Sequence, residues 1–118
     1  MVAGQFMEIL NNLAEVIAAR RNAPADSSYT ASLLQSGRGR IARKFGEEAV
    51  ELVVASLSED KKEITAEAAD VLYHLLVLLQ DAGITLEELS DILKQRQSMT
   101  GLEEKASRSN PGDNDHDL

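Results

Sequence analysis

With 118 residues, a net charge of −8, no cysteine and 43% hydrophobic residues, the chain has room for one small domain. The absence of cysteine excludes disulfides, thiolate metal sites and cysteine nucleophiles, and the acidic balance argues against gripping a nucleic-acid backbone through a broadly basic surface. Aromatics make up only 3%, so the core must be aliphatic, and two prolines with seven glycines leave long uninterrupted stretches that favour helices.

In chain order, residues 6–21 place Phe6, Leu10, Leu13, Val16 and Ile17 at helical spacing, which predicts a first amphipathic helix. Residues 22–28, NAPADSS, read as a loop. YTASLLQSG is a short helix or turn, with Ser27 or Ser28 as N-cap and Gly37 as its stop. A long helix over 38–57 follows, and SEDKKE makes a tight connection to the next. Asp60 with Glu63 caps a third long helix that ends at Gly83. Thr85 and Glu88 form a capping box for a last helix ending near Arg96. From residue 98 the sequence is polar and aperiodic, so the expected organisation is an all-α helical domain over 1–97 and a flexible tail over 98–118. No secretory pattern opens the chain, and its longest apolar run, Val71 to Leu79, is interrupted by His74. That run is far short of the about 20 apolar residues a bilayer-spanning helix needs, so a cytoplasmic location is expected.

The two long helices carry the informative pattern. At about 100° per residue, Arg40, Lys44, Glu47, Glu48 and Glu51 share one arc of the helix over 38–57. Ile41, Phe45, Ala49, Leu52 and Val53 fill the neighbouring arc and are expected to face the core, while Val50 and Val54 fall outside it. On the third helix Glu63, Glu67, Asp70 and His74 form one stripe on an otherwise apolar cylinder. A short connection makes the helices antiparallel neighbours, so two acidic stripes face each other. Carboxylates crowded without countercharge repel, and clustered oxygen ligands without cysteine suit Mg²⁺ or Mn²⁺. Acidic pairs on surface helices are commonly just solvated, and a lone histidine on an apolar helix is more often a satisfied core residue than a ligand. Arg38, Arg40, Arg43 and Lys44 would ordinarily be a solvated charge run, with Lys44 and Glu48 a simple helical pair.

GEEAVELVVAS followed by AEAADVLYHLLVLL resembles the phosphoribosyl-ATP pyrophosphohydrolase family of histidine biosynthesis, within the all-α MazG-like nucleotide pyrophosphatases. SSYTASLLQSGRGRIARKFGEEAVE and AGITLEELSDILKQR extend the likeness over about residues 6–97. The superfamily motif, E-x-x-E, spacer, E-x-x-D, stands here as Glu48-Ala-Val-Glu51 and Glu67-Ala-Ala-Asp70. The resemblance implies Mg²⁺-dependent hydrolysis of the α–β phosphoanhydride of phosphoribosyl-ATP, with Glu48, Glu51, Glu67 and Asp70 as metal ligands. It makes Glu47 a further ligand or the residue that orients the attacking water, and Glu47 and Glu48 the candidate catalytic pair. Family members often have a lysine where this chain has Ser32, so Arg40 or Lys44 is the candidate replacement; Lys62, at the start of the third helix where free N–H groups favour anions, is a further candidate substrate-binding cation. The family also implies a homo-oligomer, a dimer at least, which suits the very apolar third helix. A house-cleaning nucleoside-triphosphate pyrophosphatase would share every metal ligand, and a non-catalytic helical oligomerisation module would leave the acids in solvent.

Overall fold

A computed structural model describes residues 3–58 and 60–98, and apart from Ser98 the expected tail lies outside them. Five α-helices account for most of the described residues, which contain no strand: α1 Ala3–Ala19, α2 Tyr29–Ser36, α3 Arg38–Ser56, α4 Lys61–Ala82 and α5 Leu86–Gln97. A single 3-10 turn, Ala25–Ser27, interrupts the loop between α1 and α2. The all-α expectation holds. The chain divides after Gly83 into a unit carrying α1 to α4 and a unit carrying α5.

Local chemistry sets the helix ends. Ser28 caps α2, its hydroxyl accepting from the Ala31 amide, and Asp60 caps α4 by accepting from the Lys62 amide. Gly37, at φ 96°, separates α2 from α3, and Gly83, at φ 73°, turns the chain left-handed at the end of α4, a conformation that side chains with a Cβ resist. In the second unit, Thr85 and Glu88 make both bonds of the capping box. Acids in the first turn of α5 and Lys94 and Arg96 in its last complement the helix dipole.

In the first unit, α3 and α4 pack along each other. Arg38, at the start of α3, pairs with Asp81 near the end of α4, while Glu48 meets Asp70 and Glu67. Ascending numbers on one helix meet descending numbers on the other, so the two form an antiparallel hairpin. The fully buried side chains come from every helix of this unit: Ile17 of α1, Leu33 of α2, Ile41 of α3 and Val77 of α4. Arg21 ties the end of α1 to α4 by donating to the Gln80 carbonyl at 3.2 Å.

Two core assignments are corrected. Val53 is 60% exposed rather than inward. It lies about 120° round the helix from Ile41, whereas Ala55, on Ile41's side, is the buried residue. Val50, Val53, Val54 and Leu57 instead form one exposed apolar strip on the outer face of α3. On α1, Phe6 and Val16 are exposed; Val16 is turned about 100° round the helix from the buried Ile17, whereas Phe6 shares that side and lies three turns nearer the helix start. No single helix among the described residues is long and apolar enough to cross a membrane.

A candidate carboxylate metal site between α3 and α4

Glu48 sits on α3 close to the line of contact with α4, and Glu67 and Asp70 lie one turn apart on the facing side of α4. Helical spacing and the antiparallel register bring one oxygen of each within 4.8 Å of the other two. That spread is close to the about 4.2 Å separating opposite ligands around an ion with bonds of about 2.1 Å. One oxygen each of Glu48 and Glu67 (Oε2) is shut off from solvent without a hydrogen-bond partner. Buried carboxylate oxygens left in that state are costly, and an oxygen-seeking cation resolves the cost. The residues therefore fit a divalent metal ion.

The electrostatics agree. Glu48 holds its proton above the ordinary carboxylate range, first because it is desolvated, then because the Glu51 carboxyl lies against it, with Asp70 adding to the effect and His74 opposing it. Glu67 is raised by desolvation and by Glu51, Asp70 and Glu63. Glu51 thus bears on both helices' acids, although it stands outside the tightest group of three and is itself exposed. Its exposure follows from its place on the wheel, on the flank of α3 that borders a shallow open depression lined by Arg43, Gly46, Glu47, Val50 and Glu51.

The remaining expected site residues fall around this centre unequally. Glu47 does not join the three carboxylates; it lies outward on α3, with Lys44 Nζ at 3.4 Å and Arg43 Nε at 3.8 Å. Lys44 is partly covered and occupied with Glu47. Arg40 is half-buried, and its Nη1 donates to the Ser32 hydroxyl at 3.3 Å, so the residue standing at the family's lysine position is in contact with one of the proposed substitutes. Lys62 is exposed in the first turn of α4, about 140° round the helix from Glu67 and so off the acid stripe. His74 is buried and satisfied, as a core histidine should be: Nδ1 lies 2.7 Å from the Asp70 carbonyl and Nε2 3.1 Å from the Tyr29 hydroxyl.

Sequence reasoning missed the aromatic group on which His74 rests. Tyr73 stands edge-on to the His74 ring, with centroids 4.9 Å apart, and its hydroxyl bonds Thr30 of α2. The available signal was the hydroxyl-rich start of α2, Ser-Tyr-Thr, matched by the Tyr-His pair in the middle of an aliphatic helix.

Fold and site together define an all-α protein with a carboxylate centre, suited to a divalent cation, between two antiparallel helices. A family model described as phosphoribosyl-ATP pyrophosphohydrolase matches residues 10–97, and the chain belongs to that family. A Rhodopseudomonas palustris protein named phosphoribosyl-ATP pyrophosphatase 1 is 52% identical over 99 residues, covering 84% of this chain and 92% of its own length. Phosphoribosyl-ATP pyrophosphatase of Paramagnetospirillum magneticum is 51% identical over 105 residues, 89% of this chain and 96% of its own. A phosphoribosyl-ATP pyrophosphatase 1 from Bradyrhizobium diazoefficiens is 54% identical over 99 residues, 84% and 93% of the two chains.

Proposed function

We propose that this chain hydrolyses the α–β phosphoanhydride of phosphoribosyl-ATP, releasing phosphoribosyl-AMP and pyrophosphate, as the second step of L-histidine biosynthesis in the cytoplasm. The observation that carries the reading is the convergence of Glu48, Glu67 and Asp70 in a chain whose relatives bear the name of that activity. Glu48, Glu51, Glu67 and Asp70 hold Mg²⁺, or Mn²⁺ in its place. When bound, the metal neutralises phosphate charge and supplies Lewis acidity.

The protein's own groups do the rest. Glu47 and Glu48 share the acid–base work. Glu47 lies outside the tight carboxylate group, is anchored by Lys44 and Arg43, and orients the attacking water from the open flank. Arg40 and Lys44 bind substrate phosphates: a guanidinium offers a phosphate paired donors, and both cations share the arc of α3 that carries the acids. Lys62, in the first turn of α4, takes an outer phosphate with its long side chain.

The active unit is a homo-oligomer, a dimer at least. Val50, Val53, Val54 and Leu57 recur at i, i+3, i+4 and i+7 and stay 60–80% exposed on α3, the pattern of a helix face made for another helix. The test of function is turnover of phosphoribosyl-ATP against ordinary nucleoside triphosphates, with and without Mg²⁺. Metal-dependent preference for phosphoribosyl-ATP is expected. Comparable or better hydrolysis of ordinary triphosphates would favour a house-cleaning pyrophosphatase, and no turnover of either would sink the enzyme reading.

A further inference from the structure

His74 is the buried polar side chain among the described residues, and its hydrogen bonds fix its chemistry. The Asp70 carbonyl, 2.7 Å from Nδ1, can only accept, so Nδ1 carries the proton. The neutral ring then presents a lone pair at Nε2, and the Tyr29 hydroxyl, 3.1 Å away, is the donor. The result is a one-way chain from the Tyr29 O–H through the imidazole to the backbone of Asp70. A second bond runs beside it, between the Thr30 and Tyr73 hydroxyls. Consecutive residues at the start of α2 are thereby tied to consecutive residues of α4, one turn beyond a proposed metal ligand. The three rings lock the geometry further: Tyr29 stacks on Tyr73, with centroids 6.3 Å apart, and both meet His74 edge-on. Two residues after Thr30, the Ser32 hydroxyl accepts from Arg40 of α3, so the start of α2 touches both a proposed phosphate-binding cation and the turn of α4 that follows Asp70.

We infer that Tyr29 and His74 are positioning residues for the metal centre, holding the Asp70 turn of α4 at the distance from α2 and α3 that lets three carboxylates meet at one ion. This rests on the metal-site reading above. Such a role differs from plain core packing because removing the hydroxyl of the half-exposed Tyr29, with the ring left in place, already breaks the chain.

The test is Tyr29→Phe, compared with His74→Gln and His74→Leu, using Mn²⁺ binding to the full chain without substrate, ¹⁵N spectra of the imidazole, and the Mg²⁺ dependence of turnover. Wild type is expected to show His74 as the Nδ1–H tautomer. Tyr29→Phe should weaken Mn²⁺ binding by about tenfold, the lower end for groups standing behind metal ligands. It should raise the Mg²⁺ needed for half-maximal turnover in parallel and leave the melting temperature and the KM at saturating metal near wild type. His74→Gln, which retains a donor and an acceptor, should recover part of what His74→Leu loses. Wild-type affinity for Mn²⁺ in Tyr29→Phe, or an Nε2–H tautomer in wild type, overturns the inference and leaves the metal site standing. Failure of wild type itself to bind Mn²⁺ overturns both.

Discussion

Glu67→Gln keeps the shape of a side chain at the centre of the carboxylate group while removing its charge. Its inner oxygen is buried and unpartnered, and its proton affinity is raised by desolvation and by Glu51, Asp70 and Glu63. Without metal, the substitution relieves repulsion, so the apo protein should melt at or above the wild-type temperature. With metal, the order reverses. A ligand at a hundred times its dissociation constant stabilises the folded state by about 2.7 kcal/mol. For a domain of this size each kcal/mol moves the midpoint by about 4–8 °C, so saturating Mg²⁺ should raise wild type by about 10–20 °C. If loss of the ligand weakens binding by about a hundredfold, the same Mg²⁺ concentration sits near the new dissociation constant and contributes only about 0.4 kcal/mol, a shift of about 2–3 °C. Differential scanning calorimetry of both proteins, with and without Mg²⁺, measures all four midpoints. Glu63→Gln is the control: Glu63 is on the same stripe but outside the group of three, so the metal shift should survive. An equal Mg²⁺ shift in wild type and Glu67→Gln, or none in wild type, would refute the reasoning.

The pH dependence of the apo protein carries a definite sign. Glu48 and Glu67 bind protons more tightly folded than unfolded, so between the ordinary carboxylate value of 4.5 and their raised values the folded state holds the extra protons. Apo stability from these groups should fall as pH rises through that window, more steeply in wild type than in Glu67→Gln, and saturating Mg²⁺ should cancel the slope in wild type; pH-resolved melts check it. Leu33→Ala removes a fully buried side chain of α2 and should cost about 2–5 kcal/mol in denaturant titration, with the metal shift intact if the protein remains folded. Val54→Lys places a charge in the exposed strip of α3 and should drive the oligomer toward the 12.8 kDa chain in light scattering; an unchanged mass would mean this strip is not the contact.

Much of the fold was legible because it is locally determined. Ser28, Asp60 and the Thr85–Glu88 box satisfy amides within a few residues of themselves, and Gly37 and Gly83 stop helices by backbone freedom alone, so spacing in the sequence suffices. The acid stripes were legible for a similar reason: a period near 3.6 and a short connection leave two helices few ways to pack. Where reading failed, tertiary context decided. Whether the flank of α3 bearing Val53 is covered depends on where α1 and α2 lie, which no local pattern encodes. The separation of Glu47 from Glu48 turns on about 100° of helix rotation and on whether Lys44 pairs with the outer acid or the inner one. The Tyr29–His74 bond joins residues 45 positions apart, and its trace in the sequence was the hydroxyl-rich start of α2 together with the polar pair interrupting an aliphatic helix.

The most direct measurement is ³¹P NMR of phosphoribosyl-ATP incubated with wild type and with Glu67→Gln at saturating Mg²⁺. Wild type is expected to convert the substrate to pyrophosphate and phosphoribosyl-AMP without releasing orthophosphate, and to stop when the metal is chelated, while Glu67→Gln leaves the substrate intact. Orthophosphate as the first product, or full turnover by Glu67→Gln, would contradict cleavage at the α–β bond by the carboxylate centre between α3 and α4.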